Sequence, residues 1–179
     1  MANRCRAAVL NDNPARCRQV YGMGRWERLE ELTDLLPGII TGAELRGRAT
    51  ELRGVEAVFS TWALPPLGAA ELACLPDLKI LFYAAGSVRS FAPALLDAGI
   101  RVVSSWAANA VPVAEFSLAQ VLLSCKGYWR NVNNFTGPEA RRDAFRGSGN
   151  FGATVGIIGA GMVGRALIEL LQPFALRVV

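Results

Sequence analysis

Short apolar runs rich in β-branched residues alternate with longer stretches of helical character, and this alternation constrains the fold more than any other feature. Ala7-Ala8-Val9-Leu10 stops at the turn cluster Asn11-Asp12-Asn13-Pro14. A helical stretch over 15–36, interrupted by Gly22 and Gly24, follows and ends at Pro37-Gly38. Ile39-Ile40-Thr41 reads as a second strand, 44–52 as a helix and 57–60 as a third strand. Pro65-Pro66 opens a helix that runs to about Leu75, since proline is tolerated in a first turn. Residues 78–83 form the next buried strand and run into Ala84-Ala85-Gly86-Ser87. A helix over 91–98, closed by Gly99, precedes a strand over 100–104. A long helical pattern covers 113–131, and the polar, glycine-punctuated stretch 133–150 reads as a connection with little core of its own. Strands separated by helices pair in parallel, because parallel strands need long crossovers. The expected class is α/β, with both sheet faces covered.

Composition narrows the function. The 179 residues are 52% hydrophobic and 19% charged, which excludes a disordered chain and suffices for a core. Mean hydropathy is +0.28, which raises the question of a membrane. The apolar stretches are broken by charges such as Glu115, Lys126 and Arg165, and none reaches the ~18 uncharged apolar residues of a span. No basic region precedes an apolar segment at the start, so neither a signal peptide nor a membrane partner is expected. The sequence contains no histidine, which excludes a Ser-His-Asp or Cys-His relay, an H-E-x-x-H zinc site and a histidine base within these residues. Cys5, Cys17, Cys74 and Cys125 are scattered without a C-x-x-C. They read as buried reduced thiols of a cytoplasmic protein, with no metal site. The net charge of +4 is spread along the chain, with Arg141-Arg142 the adjacent basic pair, so no nucleic-acid partner is expected.

The strongest chemical signal lies at 153–174. Ala153-Thr154-Val155-Gly156-Ile157-Ile158 is followed by Gly159-Ala160-Gly161-Met162-Val163-Gly164 and then a helical stretch over 165–174. This is G-x-G-x-x-G after a β-branched run and before a helix, the setting in which it binds a dinucleotide. Gly159 permits the tight strand-to-helix turn, Gly161 leaves room for a pyrophosphate, and Gly164 lets helix and strand pack closely. The free N–H groups and positive dipole end of the helix favour phosphate. The acidic residue that reads a ribose hydroxyl is expected about 20 residues on, after a second strand that begins near 175. NAD and NADP therefore remain equal alternatives.

The order of motifs resembles the D-isomer-specific 2-hydroxyacid dehydrogenases, which include phosphoglycerate, formate, D-lactate and hydroxypyruvate/glyoxylate enzymes. The matching segment runs over 72–179. L-P-D-L-K-I-L-F-Y-A-A-G-S-V and A-G-I-R-V-V-S-S resemble the family's strand, A-G-x loop and "G-I-x-V-x-N". Asn109-Ala110-Val111-Pro112-Val113-Ala114-Glu115 resembles its "N-x-x-x-V-A-E", and G-A-G-M-V-G its nucleotide loop. The first seventy residues match in pattern alone.

The resemblance implies a flavodoxin-like parallel-sheet substrate domain over 1–107. An interdomain helix and the first, incomplete part of a Rossmann NAD(P)-binding domain follow over 108–179, with the active site in the cleft between the domains. It implies hydride transfer between a nicotinamide cofactor and a small 2-hydroxy or 2-oxo acid. Ala85, Gly86 and Ser87 would offer backbone N–H groups to the substrate carboxylate, with Ser87 and Val113 also touching the cofactor and Met162 and Val163 presenting their backbone to its pyrophosphate. Glu115 would act locally near a helix start and not as an acid or base. The helix over 113–131 would contribute to a homodimer contact. Substrate side-chain specificity is assigned to N-terminal loops around Thr61-Trp62, without a motif behind that assignment. Two positions depart from the pattern. Val88-Arg89-Ser90 stands where Asp-Asn often follows the A-G-x turn, and Phe116 stands where a histidine often follows V-A-E. The family's catalytic Arg, Glu and His match no position in this sequence. The chain is therefore expected to be an inactive, poorly soluble fragment. A non-catalytic dinucleotide- or ligand-binding remnant of the same fold is the alternative. A different Rossmann enzyme fits less well, since its glycine loop usually falls near the start of the chain.

Overall fold

The computed structural model describes residues 4–140 and 149–179. These form two compact units, one ending at Trp106 and the other starting at Ala107. The last part of the polar connection, 141–148 with its Arg141-Arg142 pair, lies outside the described residues.

The first unit is a parallel α/β sheet. In chain order its elements are β1 (Arg6–Leu10), α1 (Pro14–Val20), α2 (Arg25–Leu32), β2 (Asp34–Ile40), α3 (Ala49–Leu52), β3 (Ala57–Ser60), α4 (Ala69–Leu72), β4 (Ile80–Tyr83), α5 (Ala92–Asp97) and β5 (Arg101–Ser104). The strands pair in parallel in the order β2-β1-β3-β4-β5. This is the doubly wound order in which the chain reverses direction beside β1. Successive strand residues point to opposite faces. Ala8, Leu10, Val58 and Leu81 meet Leu52, Leu95 and Leu72 of α3, α5 and α4 on one face. Val9 and Phe59 meet Cys17 of α1, Tyr21 at the C-terminal cap of that helix, and Trp26 and Leu29 of α2, on the other. Both faces are thus covered, as the alternation predicts.

Several predicted elements are corrected. The helix over 15–36 is two short helices, and Pro37-Gly38 lies inside β2 instead of ending a helix. Two extra residues of β2 bulge out between the Ala7–Leu35 and Val9–Ile39 pairs. Such a bulge on an outer strand accommodates a proline that cannot donate to the ladder. Of the helices over 44–52 and 65–75, only α3 and α4 form, and Pro65-Pro66 opens neither.

The second unit holds α6 (Trp106–Cys125), α7 (Tyr128–Asn134), a 3-10 turn (Pro138–Ala140), β6 (Ala153–Val155), α8 (Met162–Leu171) and β7 (Leu176–Val178). The predicted helix over 113–131 starts seven residues earlier and breaks at Gly127, whose φ of 70° closes one helix and opens the next. Pro112 and Val113 therefore lie inside α6 and not at its start. Pro112 fits because its fixed φ suits a helix; the cost is the hydrogen bond its missing N–H would have made. By length and composition α6 is apolar enough to cross a membrane, with a mean hydropathy of 1.3 and a single charge, Glu115. Its Ala114, Leu118 and Val121 pack with Leu167 and Leu171 of α8 and with Val155, Leu176 and Val178 of the sheet. β6 and β7 pair in parallel, and Ile157 N–H donates to the Val179 carbonyl at 2.8 Å, so the ladder runs on towards the glycine loop.

Candidate functional site

Two bends at the ends of parallel strands carry the candidate chemistry, one in each unit. In the second unit, α8 begins immediately after Gly161, three residues earlier than predicted, so Met162, Val163 and Gly164 form its first turn. The first α8 bond is Arg165 N–H to the Gly161 carbonyl at 2.9 Å. The N–H groups of Met162, Val163 and Gly164 therefore precede the first intrahelical donor and point out of the helix start. Gly159 has a φ of 101°, which a side chain would strain. A Cβ added to Gly161 meets nothing within 4 Å. One added to Gly164 would overlap the Gly159 carbonyl oxygen, far inside the 3.0 Å that real Cβ contacts do not undercut. The turn is thus pressed against the helix it feeds, and its solvent side is open. Arg165 Nε donates to the Ala160 carbonyl at 2.9 Å and braces the loop. An oriented set of amides at a helix N-terminus is a fitting cradle for the phosphates of a dinucleotide.

In the first unit, β4 ends in the bend Ala84-Ala85-Gly86-Ser87. Ala84 N–H continues the ladder to the Ser60 carbonyl at 2.8 Å. Beyond it, the N–H groups of Ala85, Gly86 and Ser87 have no acceptor among the described residues. Ala85 is 2% exposed, so its free amide is buried, whereas Ser87 is exposed. A buried N–H without a partner is costly unless something else supplies an acceptor. The first three carbonyls of the same bend, those of Ala84, Ala85 and Gly86, are occupied. Thr61 Oγ1 donates to the Ala84 carbonyl at 3.0 Å, and Ser104 Oγ to those of Ala85 at 3.0 Å and Gly86 at 2.5 Å.

The neighbouring strand ends are tied down as well. Asn11, fully buried at the end of β1, donates from Nδ2 to the Trp62 carbonyl at 2.7 Å and accepts from Asn13 N–H at 2.8 Å. Asp12 accepts from Gly42 N–H at 2.7 Å. Trp62 is 40% exposed with the Arg16 guanidinium 4.9 Å from its ring centroid, so it remains accessible at this edge, while Thr61 is buried. Val113 stands apart from both bends in sequence, 41% exposed in mid-helix on α6, and Glu115 is an exposed residue of the same helix. The thiols do not contribute. All four cysteines are free, and burial pushes the Cys17 thiol up to about 11. Among the described residues no cluster of acidic or sulfur side chains forms a metal site. Sequence reasoning missed Ser104, which reads only as a polar end to an apolar strand. The signal available was its place on a strand adjacent to β4.

No family model matches the chain. Over 101 residues it is 34% identical to formate dehydrogenase 2, mitochondrial, of Oryza sativa subsp. japonica, a stretch covering 55% of this chain and 27% of that protein. Among solved structures it is similar to D-2-hydroxyisocaproate dehydrogenase, with a TM-score of 0.68 at 18% identity, over 97% of this chain and 52% of that one. It is also similar to the NADPH-dependent glyoxylate/hydroxypyruvate reductase of Sinorhizobium meliloti, solved with NADP and malonate. There the TM-score is 0.65 at 20% identity, over 98% of this chain and 52% of that one. The chain spans about half the length of these solved chains and about a quarter of the formate dehydrogenase. Over the segment it covers, this chain shares the α/β fold of those 2-hydroxyacid dehydrogenase structures.

Proposed function

We propose that this chain is part of an NAD- or NADP-dependent oxidoreductase acting on a small 2-hydroxy or 2-oxo acid. The observation that carries the reading is the start of α8, where Gly161 is open to solvent, Gly164 is pressed on Gly159, and three amides precede the first helical hydrogen bond. Gly159, Gly161, Met162, Val163 and Gly164 would hold the pyrophosphate. The nicotinamide, when bound, accepts or gives the hydride. The substrate carboxylate would lie on the amides of Ala85, Gly86 and Ser87, with Ser87 also reaching the cofactor. Val113 would touch the cofactor from an exposed position in the middle of α6. Residues 1–107 would form the substrate domain and 108–179 the start of the dinucleotide domain. D-specificity and a homodimer rest on the resemblance alone, whereas a cytoplasmic site of action rests on the scattered cysteines, and the exclusion of nucleic-acid and membrane partners on the spread charge and interrupted apolar stretches of the sequence.

A second reading, a dinucleotide-binding module without turnover, draws on the absence of histidine from the 179 residues. Both readings require cofactor binding. Titrating the purified chain into NADH and into NADPH, followed by nucleotide fluorescence, is expected to give saturable binding to at least one. Binding to neither overturns the proposal. The 179 residues alone are expected not to oxidise NADH in the presence of glyoxylate or hydroxypyruvate. Appreciable turnover would overturn that expectation.

A further inference from the structure

We infer that Thr61 and Ser104 are positioning residues, and that their hydroxyls aim the amides of the β4 bend at a carboxylate. The inference rests on the reading of that bend as the substrate site. A peptide unit is planar and trans, so the carbonyl of one residue and the N–H of the next point in opposite directions. Holding the carbonyl of Ala84 therefore sets the direction of Ala85 N–H. Holding the carbonyls of Ala85 and Gly86 does the same for the N–H groups of Gly86 and Ser87.

All three carbonyls are held, and the two holders come from the strands on either side of β4. Thr61 follows β3 and takes the Ala84 carbonyl at 3.0 Å. Ser104 ends β5 and shares its hydroxyl proton between the carbonyls of Ala85 and Gly86. β3 and β5 are the two neighbours of β4 in the sheet. The three amides left over are the ones without an acceptor among the described residues. Thr61 is fully buried, so its hydroxyl is too deep to meet a substrate and acts through the backbone. Ser104 spends its one proton on carbonyls in the same way. Consecutive oriented backbone N–H groups of this kind suit an anion, and a carboxylate is the anion of a 2-oxo acid.

The test uses the purified 179-residue chain and glyoxylate, with glycolaldehyde as a probe that lacks the carboxylate. Amide proton–nitrogen spectra report residues 85–87 directly. Glyoxylate is expected to shift these three amides, and glycolaldehyde to leave them unmoved. Ser104→Ala and Thr61→Val are each expected to weaken glyoxylate binding by roughly three- to tenfold, the scale of one hydrogen bond. Both are expected to speed exchange of the amides at 85–87 while sparing those of β1. Ser104→Thr and Thr61→Ser, which keep the hydroxyl, are expected to restore binding. A purely structural role would lower the melting temperature without this pattern of rescue. If the unaltered chain shows no glyoxylate-dependent shift at 85–87, the substrate reading of the bend fails, and this inference with it. If the unaltered chain binds and both hydroxyl-less variants bind equally well, the substrate reading stands and the positioning role is overturned.

Discussion

Gly164→Ala and Gly161→Ala make a matched pair, because the two glycines sit three residues apart at the same helix start in opposite surroundings. A methyl on Gly164 overlaps the Gly159 carbonyl oxygen, and that atom is backbone, so no flexible side chain yields to it. The start of α8 must retreat by on the order of an ångström, and forced shifts of this kind cost about 1–3 kcal/mol. Replacing glycine by alanine inside a helix returns up to about 1 kcal/mol. The net expectation is a loss of roughly 1–2 kcal/mol in the second unit. A methyl on Gly161 meets nothing within 4 Å, and the φ of −73° suits any residue. There the cost is that of a poorer N-cap, about 0.5–1 kcal/mol at most. Hydrogen exchange over residues 162–171 measures the difference without any assumption about function. Gly164→Ala should lose protection by about five- to thirtyfold and Gly161→Ala by much less. In NADH titrations the order changes, since a methyl on Gly161 occupies the side a pyrophosphate would approach, so this variant should bind at least tenfold more weakly. Equal protection of α8 in both variants would refute the argument that Gly164 exists for close packing. Unchanged NADH affinity in Gly161→Ala would refute the placement of the phosphates.

Three further outcomes test the first unit. Leu95→Ala empties a fully buried position under α5 and should cost about 2–5 kcal/mol in urea unfolding, whereas a loss below ~1 kcal/mol would mean that α5 does not seal the core. Asn11→Ala removes the donor to the Trp62 carbonyl and should cost about 1–3 kcal/mol; an unchanged melting curve would show that the two strand ends are not coupled through it. Burial raises the Cys17 thiol from 9.0 to about 11, so the unfolded chain ionises first. Stability from this group is whole below pH 9 and is lost as the pH rises towards 11, and Cys17→Ala should flatten that decline in urea midpoints between pH 8 and 10.5. An identical decline in both proteins would remove Cys17 as the cause.

Elements whose information is local were legible. β1, β3 and β4 are short buried runs bounded by turn residues, and Gly159, Gly161 and Gly164 announce themselves by spacing. β2 was hidden because Pro37-Gly38 looks like a stop signal, and only its pairing with β1 turns it into a bulge. The start of α6 was hidden as well: the apolar pattern sets in after Pro112, whereas the helix begins about two turns earlier, at Trp106. At the candidate site, the β4 bend was readable from small residues after an apolar run. The hydroxyls that orient it were not, because Thr61 lies 23 residues from Ala84 and Ser104 lies 19 from Ala85. No local pattern encodes contacts that exist only once three strands stand side by side.

The guy-ropes on the β4 bend have a thermodynamic corollary. Little freedom is left to freeze when an anion arrives, so the entropic toll of loop ordering falls on folding and not on capture. Occupancy at this corner should accordingly come with small changes in backbone order, and calorimetry should register chiefly the heat of new hydrogen bonds.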